Sequence, residues 1–180
     1  GSIAATSLAS LSGLNTAGDD VITITVNDAG GNVDATDLSA LGAKTAGTVT
    51  VSNAVTISGT RSQVTDALVT DSSKVTASTA LVTITDGAGD IDATDLSAIG
   101  EKTSGQVTVS NAVNIQGTTA EVTEALVTDD SLVVATSATV EISNASTVDE
   151  LNAIAAKTGA VVTGSIAATS LASLSGLNTA

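Results

Sequence analysis

The sequence predicts an α/β fold: a repeat solenoid with short helices and short β-strands stacked around one aliphatic core. Three observations lead there. Residues 34–51, DATDLSALGAKTAGTVTV, return at 92–109 as DATDLSAIGEKTSGQVTV, an offset of 58. Each 58-residue unit holds two related halves of 29 residues, each a capped helical segment followed by a β-branched one. The chain of 180 residues contains no Phe, Trp, Tyr, Pro, Cys, Met or His, while Ala and Thr number 30 each and Val 21. Self-similarity at such a period marks a stacked array. A thin interior that repeats is filled well by Ala, Val, Leu and Ile, whereas one aromatic ring would bury about 150–250 Å² and need compensation in every copy.

The correspondence between units runs on. SNAVTISGT at 52 matches SNAVNIQGT at 110, and QVTDALVTD at 63 matches EVTEALVTD at 121. The whole chain, 1–180, reads as a single array with repeats at about 4–33, 34–62, 63–91, 92–120, 121–148 and 149–180, the last one shortened. A longer period of 163 makes residues 1–17, GSIAATSLASLSGLNTA, identical to residues 164–180. Identity of that length points to a tandem array of 163-residue blocks or to a chain built by design. The visible divergence of the smaller repeats favours natural duplication.

Helical segments come first in each half. Leu38 and Leu41, Leu96 and Ile99, and Leu151 and Ile154 stand three apart; Val64 and Leu68, and Val122 and Leu126, stand four apart. Both spacings put the pair on one helical face. Capping boxes are expected at Thr60 with Gln63, Thr118 with Glu121 and Ser146 with Asp149, and Asp34 and Asp92 are expected as N-caps. Lys44, Lys74, Lys102 and Lys157 fall where these helices should end, opposite the negative end of the macrodipole. Gly47, Gly105 and Gly159 read as stop signals.

The β segments alternate. In TVTVSNAVTIS, Val49, Val51, Val55 and Ile57 share one side and the threonines the other; Val75, Ala77, Val82 and Ile84 do the same, as do Ile22, Ile24 and Val26. Strands lie about 4.8 Å apart, but packed helices need about 8–10 Å. One helix and one strand per unit would force curvature or alternating sides; two strands per unit would match one helix. The Ser52-Asn53-Ala54 break allows either a hairpin, with Val51 opposite Val55, or a corner between two sheets.

The phrases LNAIAAKTGAV (151–161), ATDLSAIGEKTSGQVTV (93–109) and ISGTRSQVTDAL (57–68) resemble the repeat regions of giant acidic, Thr/Ala/Val-rich cell-surface proteins of marine cyanobacteria and related bacteria. The resemblance implies an extracellular or cell-surface array and transfers no catalytic residue.

Composition excludes many activities. Without imidazole, thiol or phenol, most groups that move protons at neutral pH are missing, and zinc, copper, haem and iron–sulfur sites lose their usual ligands. Nineteen acidic and five basic residues give a net charge of −14, which repels nucleic acid and anionic membrane surfaces. No apolar run is long enough to span a bilayer. An enzyme is therefore not expected, and no resident cofactor is assigned. The acidic, glycine-spaced loops are the one metal candidate: Asp86, Asp90 and Asp92, with Asn27, Asp28, Asn32 and Asp34 in the earlier copy, have the oxygen-rich character of a calcium loop. The plainer reading of both stretches is a strand-to-helix turn with an Asp N-cap. Thr23/Thr25, Thr48/Thr50 and Thr83/Thr85 form T-x-T pairs, which read as ordinary solvated strand faces. The expected function is structural, a spacer, stalk or surface-layer segment of a very large extracellular protein. Its expected partners are neighbouring copies of the repeat, end to end, with neither nucleic acid nor membrane insertion and any ligand left open. A calcium-dependent adhesin or carbohydrate-binding module is the alternative, and an engineered repeat scaffold a third.

Overall fold

A computed structural model of the chain describes residues 1–167 and 170–178. The chain runs through similar passes, each of strands followed by a helix. The first pass has β1 (Ser2–Thr6) and α1 (Leu8–Leu11); the second has β2 (Thr23–Val26), β3 (Asn32–Asp34) and α2 (Ala35–Gly42). Next come β4 (Val49–Val51), β5 (Thr56–Gly59) and α3 (Arg61–Val64), the last continued by a π-helical turn over Thr65–Val69. The fourth pass holds three strands, β6 (Val75–Thr76), β7 (Leu81–Ile84) and β8 (Asp90–Asp92), before α4 (Ala93–Gly100). The remaining passes are β9 (Val107–Val109), β10 (Asn114–Gly117) and α5 (Thr119–Leu126); β11 (Val133–Val134), β12 (Thr139–Ser146) and α6 (Val148–Ala155); and β13 (Val162–Ile166) with α7 (Leu171–Leu174).

The result is a mixed α/β fold with three parallel sheets among the described residues. Their strand orders are β1-β2-β4-β6, β3-β5-β7-β9-β11 and β8-β10-β12-β13. Away from the two end strands, the chain returns to the same sheet after 24 to 26 residues: Ile24 pairs Val49 and Val49 pairs Val75; Ile57 pairs Val82, which pairs Val107; Ile91 pairs Ile115, which pairs Val140. That interval is shorter than the 29-residue half of the sequence repeat. Residues 58 apart therefore do not sit on neighbouring rungs of one ladder. Ile24, Val82 and Val140 are equivalent in sequence, yet each lies in a different sheet. The cause is arithmetic: 58 residues exceed two returns of 24 to 26 residues by six to ten, enough to carry the chain round one corner into the next sheet.

The Ser52-Asn53-Ala54 break is a corner. β4 and β5 belong to different sheets, and the corner rests on the one beneath it: Ser52 N donates to Val26 O (2.9 Å), and Asn53 Nδ2 donates to Asn27 O and Asp28 O (2.8 and 3.1 Å). Ser110 and Asn111 repeat this on Ile84, Thr85 and Asp86. A hairpin would have paired the two strands with each other; here the adjoining passes pair them instead, leaving the corner amides to bond downward. The stretch 75–85 likewise turns at Ala77–Ala80, between β6 and β7.

The apolar strand residues expected to share the inner side are buried, except Ile22, which is half-buried. Together with Leu38, Leu41, Val64, Leu68, Leu96, Ile99, Val122, Leu126 and Ile154 they form one aliphatic cluster. Leu151 packs against it half-buried. Ile24, Ile57, Ile84, Ile91 and Ile115 belong to it and are all at most 1% exposed. Consecutive helices pack on one another from α1 through to α6.

The caps follow the sequence closely, with one shift. Thr60 with Gln63 and Thr118 with Glu121 make full capping boxes. The expected box at Ser146 and Asp149 sits one residue later, at Thr147 with Glu150, because Ser146 is buried and bonded to Thr119 Oγ1 (2.6 Å). Asp34 Oδ1 caps α2 at Thr36 N (2.8 Å), whereas Asp92, the N-cap of α4, makes no such bond. Lys44, Lys102 and Lys157 lie one residue past the C-caps Ala43, Glu101 and Ala156. Lys74 instead ends a 3-10 turn in the left-handed conformation, φ 57°, as does Leu132 at its 58-residue equivalent, φ 52°. Gly47 and Gly105 do not stop the helices, which end at Gly42 and Gly100. They are needed further on, where a Cβ would overlap Ile22 O or Ala80 O of the preceding pass.

Candidate functional site

The most regular polar feature joins one pass to another at the helix N-termini. The backbone N–H of the first residue of α1, Leu8, donates to Asp28 Oδ2 (2.7 Å). The first residue of α3, Arg61, donates in the same way to Asp86 Oδ2. The first residue of α5, Thr119, donates to Asn144 Oδ1 (2.7 Å), and its hydroxyl reaches the same oxygen (2.9 Å). Asp28, Asp86 and Asn144 are spaced by 58. Asp28 and Asp86 lie in the corners that precede β3 and β8, the edge strands that begin the second and third sheets. Helix N-termini carry donors without an intrahelical partner and a partial positive charge. An oxygen supplied from a neighbouring pass satisfies one donor and ties the start of the helix to that pass.

A second series lies past the helix ends. Thr45 Oγ1 donates to Ile22 O (2.6 Å) and accepts from Ile22 N (3.0 Å) and Gly47 N (2.8 Å). Thr103 Oγ1 donates to Ala80 O and accepts from Gly105 N (3.0 Å). Thr158 Oγ1 donates to Ala138 O and accepts from Ala160 N (3.1 Å). Thr45 and Thr103 are buried, so each hydroxyl both turns its own chain and bonds the backbone of the pass before. The thrice-repeated Lys-Thr pair was the signal for these positions, and reading its lysine as a helix-end charge hid the role of the threonine. The 58-residue spacing of Asp28, Asp86 and Asn144 was the signal for the cap series.

The candidate calcium residues are distributed over different bonds. Asp28 and Asp86 accept from helix N-termini as above. Asp90 Oδ1 accepts from Asn114 Nδ2 (2.9 Å) and Asp92 Oδ1 from Gln116 Nε2 (3.0 Å), across the exposed face of the third sheet. Asn27 O accepts from Asn53. Asp34 accepts from both the N–H and the hydroxyl of Thr36 (2.8 and 2.6 Å); the hydroxyl bond first, then the backbone bond, holds its carboxyl below the ordinary Asp range. Asn32 Cα partners Thr56 on the second sheet. Asp28, Asn32 and Asp34 line one groove between α1 and α2, while Asp86 is turned to α3. No group of three or more carboxylates placed to hold a metal ion occurs among the described residues.

Threonines of the T-x-T pairs align in columns: Thr25, Thr50 and Thr76 are successive Cα partners, as are Thr83 and Thr108. Ser73 is buried and its Oγ accepts from Val75 N (3.3 Å). Among the described residues no helix is long and apolar enough to cross a membrane. No protein-family model matches the chain, and comparison with curated proteins and with solved structures gives no match.

Proposed function

We propose that this chain is a structural repeat module: a segment of an α/β solenoid that serves as an extended spacer, stalk or surface-layer element of a very large extracellular protein. The observation that carries the reading is the parallel pairing of residues 24 to 26 apart in all three sheets. In such a stack each pass contacts chiefly its neighbours, so stability accumulates along the axis. The polar side chains fit that role. Asp28, Asp86, Asn144, Thr45, Thr103, Asn53 and Asn111 all bond to another pass rather than converge on a ligand. The acidic surface keeps long arrays apart and in solution, and the resemblance to giant surface proteins supplies the extracellular setting. The reading assigns no catalytic residue and no cofactor.

Small-angle scattering tests it. A chain lengthened by one more 163-residue block should give a longer particle of unchanged cross-section. A particle that grows equally in all directions would overturn the solenoid. Antibody labelling of intact source cells tests the setting: surface staining is expected, and staining only after lysis would overturn it.

A further inference from the structure

We propose that the groove between α1 and α2 is a docking site for an arginine side chain carried by an exposed segment of a partner protein. The proposal goes beyond the spacer role and does not depend on it. The groove has a volume of about 330 Å³, at the small end of ligand pockets, which span roughly 300–1,000 Å³. That size suits one side chain better than a folded surface. Leu8 and Leu41 supply apolar walls, Asp28, Asp34 and Asp37 supply carboxylates, and Lys44 is the one basic group of the lining. Three carboxylates against one ammonium leave the lining negative. Asp28 is taken up by Leu8 N, and Asp34 by the N–H and hydroxyl of Thr36. Asp37 is exposed and has no cation paired with it; the one ion pair among the described residues lies elsewhere, between Arg61 and Asp95.

That ion pair shows what such a groove takes. α2 and α4 begin with the same residues, ATDLSA, and Asp37 and Asp95 are each the third residue of their helix. The helix before each is tied in the same way, Leu8 N to Asp28 and Arg61 N to Asp86. Leu8 therefore stands where Arg61 stands. Between α3 and α4 the Arg61 guanidinium donates to Asp95 Oδ2 (2.8 Å). Between α1 and α2 a leucine makes no such bond, and α1 stops after four residues, whereas α3 is extended by a π turn over Thr65–Val69. The missing cation and the missing turn leave the groove open beside Asp37. An incoming arginine would lay its methylenes along Leu8 and Leu41 and its guanidinium on Asp37. The planar fork matches a carboxylate better than an ammonium does. Among the described residues no carboxylates converge as metal ligands would, which favours an extended organic cation. A second copy would have to break its own Arg61–Asp95 pair to supply its one arginine, so the occupant belongs to a different protein.

The probe is a blocked Ala-Arg-Ala peptide, titrated at low ionic strength into isotope-labelled protein and followed by amide chemical shifts. Blocked Ala-Lys-Ala and Ala-citrulline-Ala serve as comparisons; citrulline keeps the shape of arginine and loses its charge. The arginine peptide should shift the amides of Leu8, Asp37 and Leu41 in a saturable way. It should bind about tenfold more tightly than the citrulline peptide, the equivalent of one charge-assisted hydrogen bond, and more tightly than the lysine peptide. Asp37→Asn, at an exposed position, should weaken the arginine peptide about tenfold and leave the protein folded. Leu8→Arg should supply the guanidinium from within the chain: the melting temperature should rise, and the peptide should no longer shift those amides. A lysine or citrulline peptide that binds as tightly as the arginine one would overturn the proposal. So would shifts spread evenly over the acidic surface, or no shift at the groove with millimolar peptide. Binding that survives unchanged in Asp37→Asn, or in a folded Leu8→Arg protein, would overturn it as well. The three peptides and Asp37→Asn decide the matter without Leu8→Arg, should that variant not fold.

Discussion

The segments 34–91 and 92–149 are diverged copies of one repeat, identical at 34 of 58 positions, and differ in where that repeat is placed. Locally they agree: the helices at Ala35–Gly42 and Ala93–Gly100 have the same length, Ile57 and Ile115 are both fully buried, and Lys74 and Leu132 both take positive φ. Equivalent strands nevertheless lie in different sheets. The differences in sequence show up where passes meet. In the first segment Arg61 reaches across to Asp95 (2.8 Å), and its helix ends in a π turn that leaves Thr65 Oγ1 buried without a partner. In the second, Thr119 stands in its place, bonds Asn144 and Ser146, and the helix is an unbroken eight residues. Local structure thus belongs to the repeat, while membership of a sheet belongs to the number of residues that have gone before.

Equivalent substitutions in the two segments test that equivalence. The largest effect is expected from the core. Ile57→Ala and Ile115→Ala should each cost about 2–5 kcal/mol in denaturant unfolding, and the two costs should agree within about 1 kcal/mol although one residue lies in the five-stranded sheet and the other in a four-stranded one. A wider gap would mean that the copies are not packed alike. Next come Gly42→Ala and Gly100→Ala. A Cβ there would overlap Ser73 O or Ser131 O, so each should cost about 1–3 kcal/mol despite alanine's better helix propensity. An increase in melting temperature for either would show that the close approach is absent.

Smaller effects separate the junctions. Asp86→Ala removes the oxygen that caps Arg61 N and should cost about 1–2 kcal/mol. The same change at Asp28, which accepts from the first residue of the four-residue α1, should chiefly increase hydrogen exchange in that helix and leave the midpoint nearly unmoved. The smallest effect concerns pH. The backbone N–H and then the hydroxyl of Thr118 hold the Glu121 carboxyl below its ordinary value of 4.5, and Thr147 does the same for Glu150. A carboxyl lowered in the folded state contributes stability that is complete above the ordinary value and is lost as pH falls through the lower folded one. Gln63 fills the same place in the first segment and does not titrate. Glu121→Gln should therefore flatten the loss of stability below about pH 4.5, read by melting at a series of pH values; an unchanged slope would remove the capping bond as its cause.

Much of this architecture was legible in the residues. The leucine and isoleucine spacings marked the buried helix faces, and alternation marked the buried strand faces. Thr60, Thr118, Asp34 and Asp92 marked helix starts. These are short-range signals, set by 3.6- and 2-residue periods. The sheet assignments were not legible, because strand pairing at 24 to 26 residues leaves no mark when the sequence repeats at 58. Nothing within Ser52-Asn53-Ala54 distinguishes a corner from a hairpin; the carbonyls of Val26, Asn27 and Asp28 in the neighbouring pass, which accept from Ser52 and Asn53, decide it. Ser146 shows the same limit. Its type and spacing suit a cap, but burial against Thr119 moves the cap to Thr147. The acidic loops looked alike in sequence and separate in space, since Asp86 turns to α3 while Asp90 and Asp92 face the third sheet's own amides.

The central claim is that sequence-equivalent residues are carried into successive sheets while ladders pair at the shorter interval. Backbone nuclear Overhauser contacts test it most directly. The account expects interstrand contacts between Ile24 and Val49, Ile57 and Val82, and Ile91 and Ile115, and none between Ile24 and Val82. Contacts linking Ile24 to Val82, or Ile57 to Ile115, would place the 58-residue copies on adjacent rungs and contradict it.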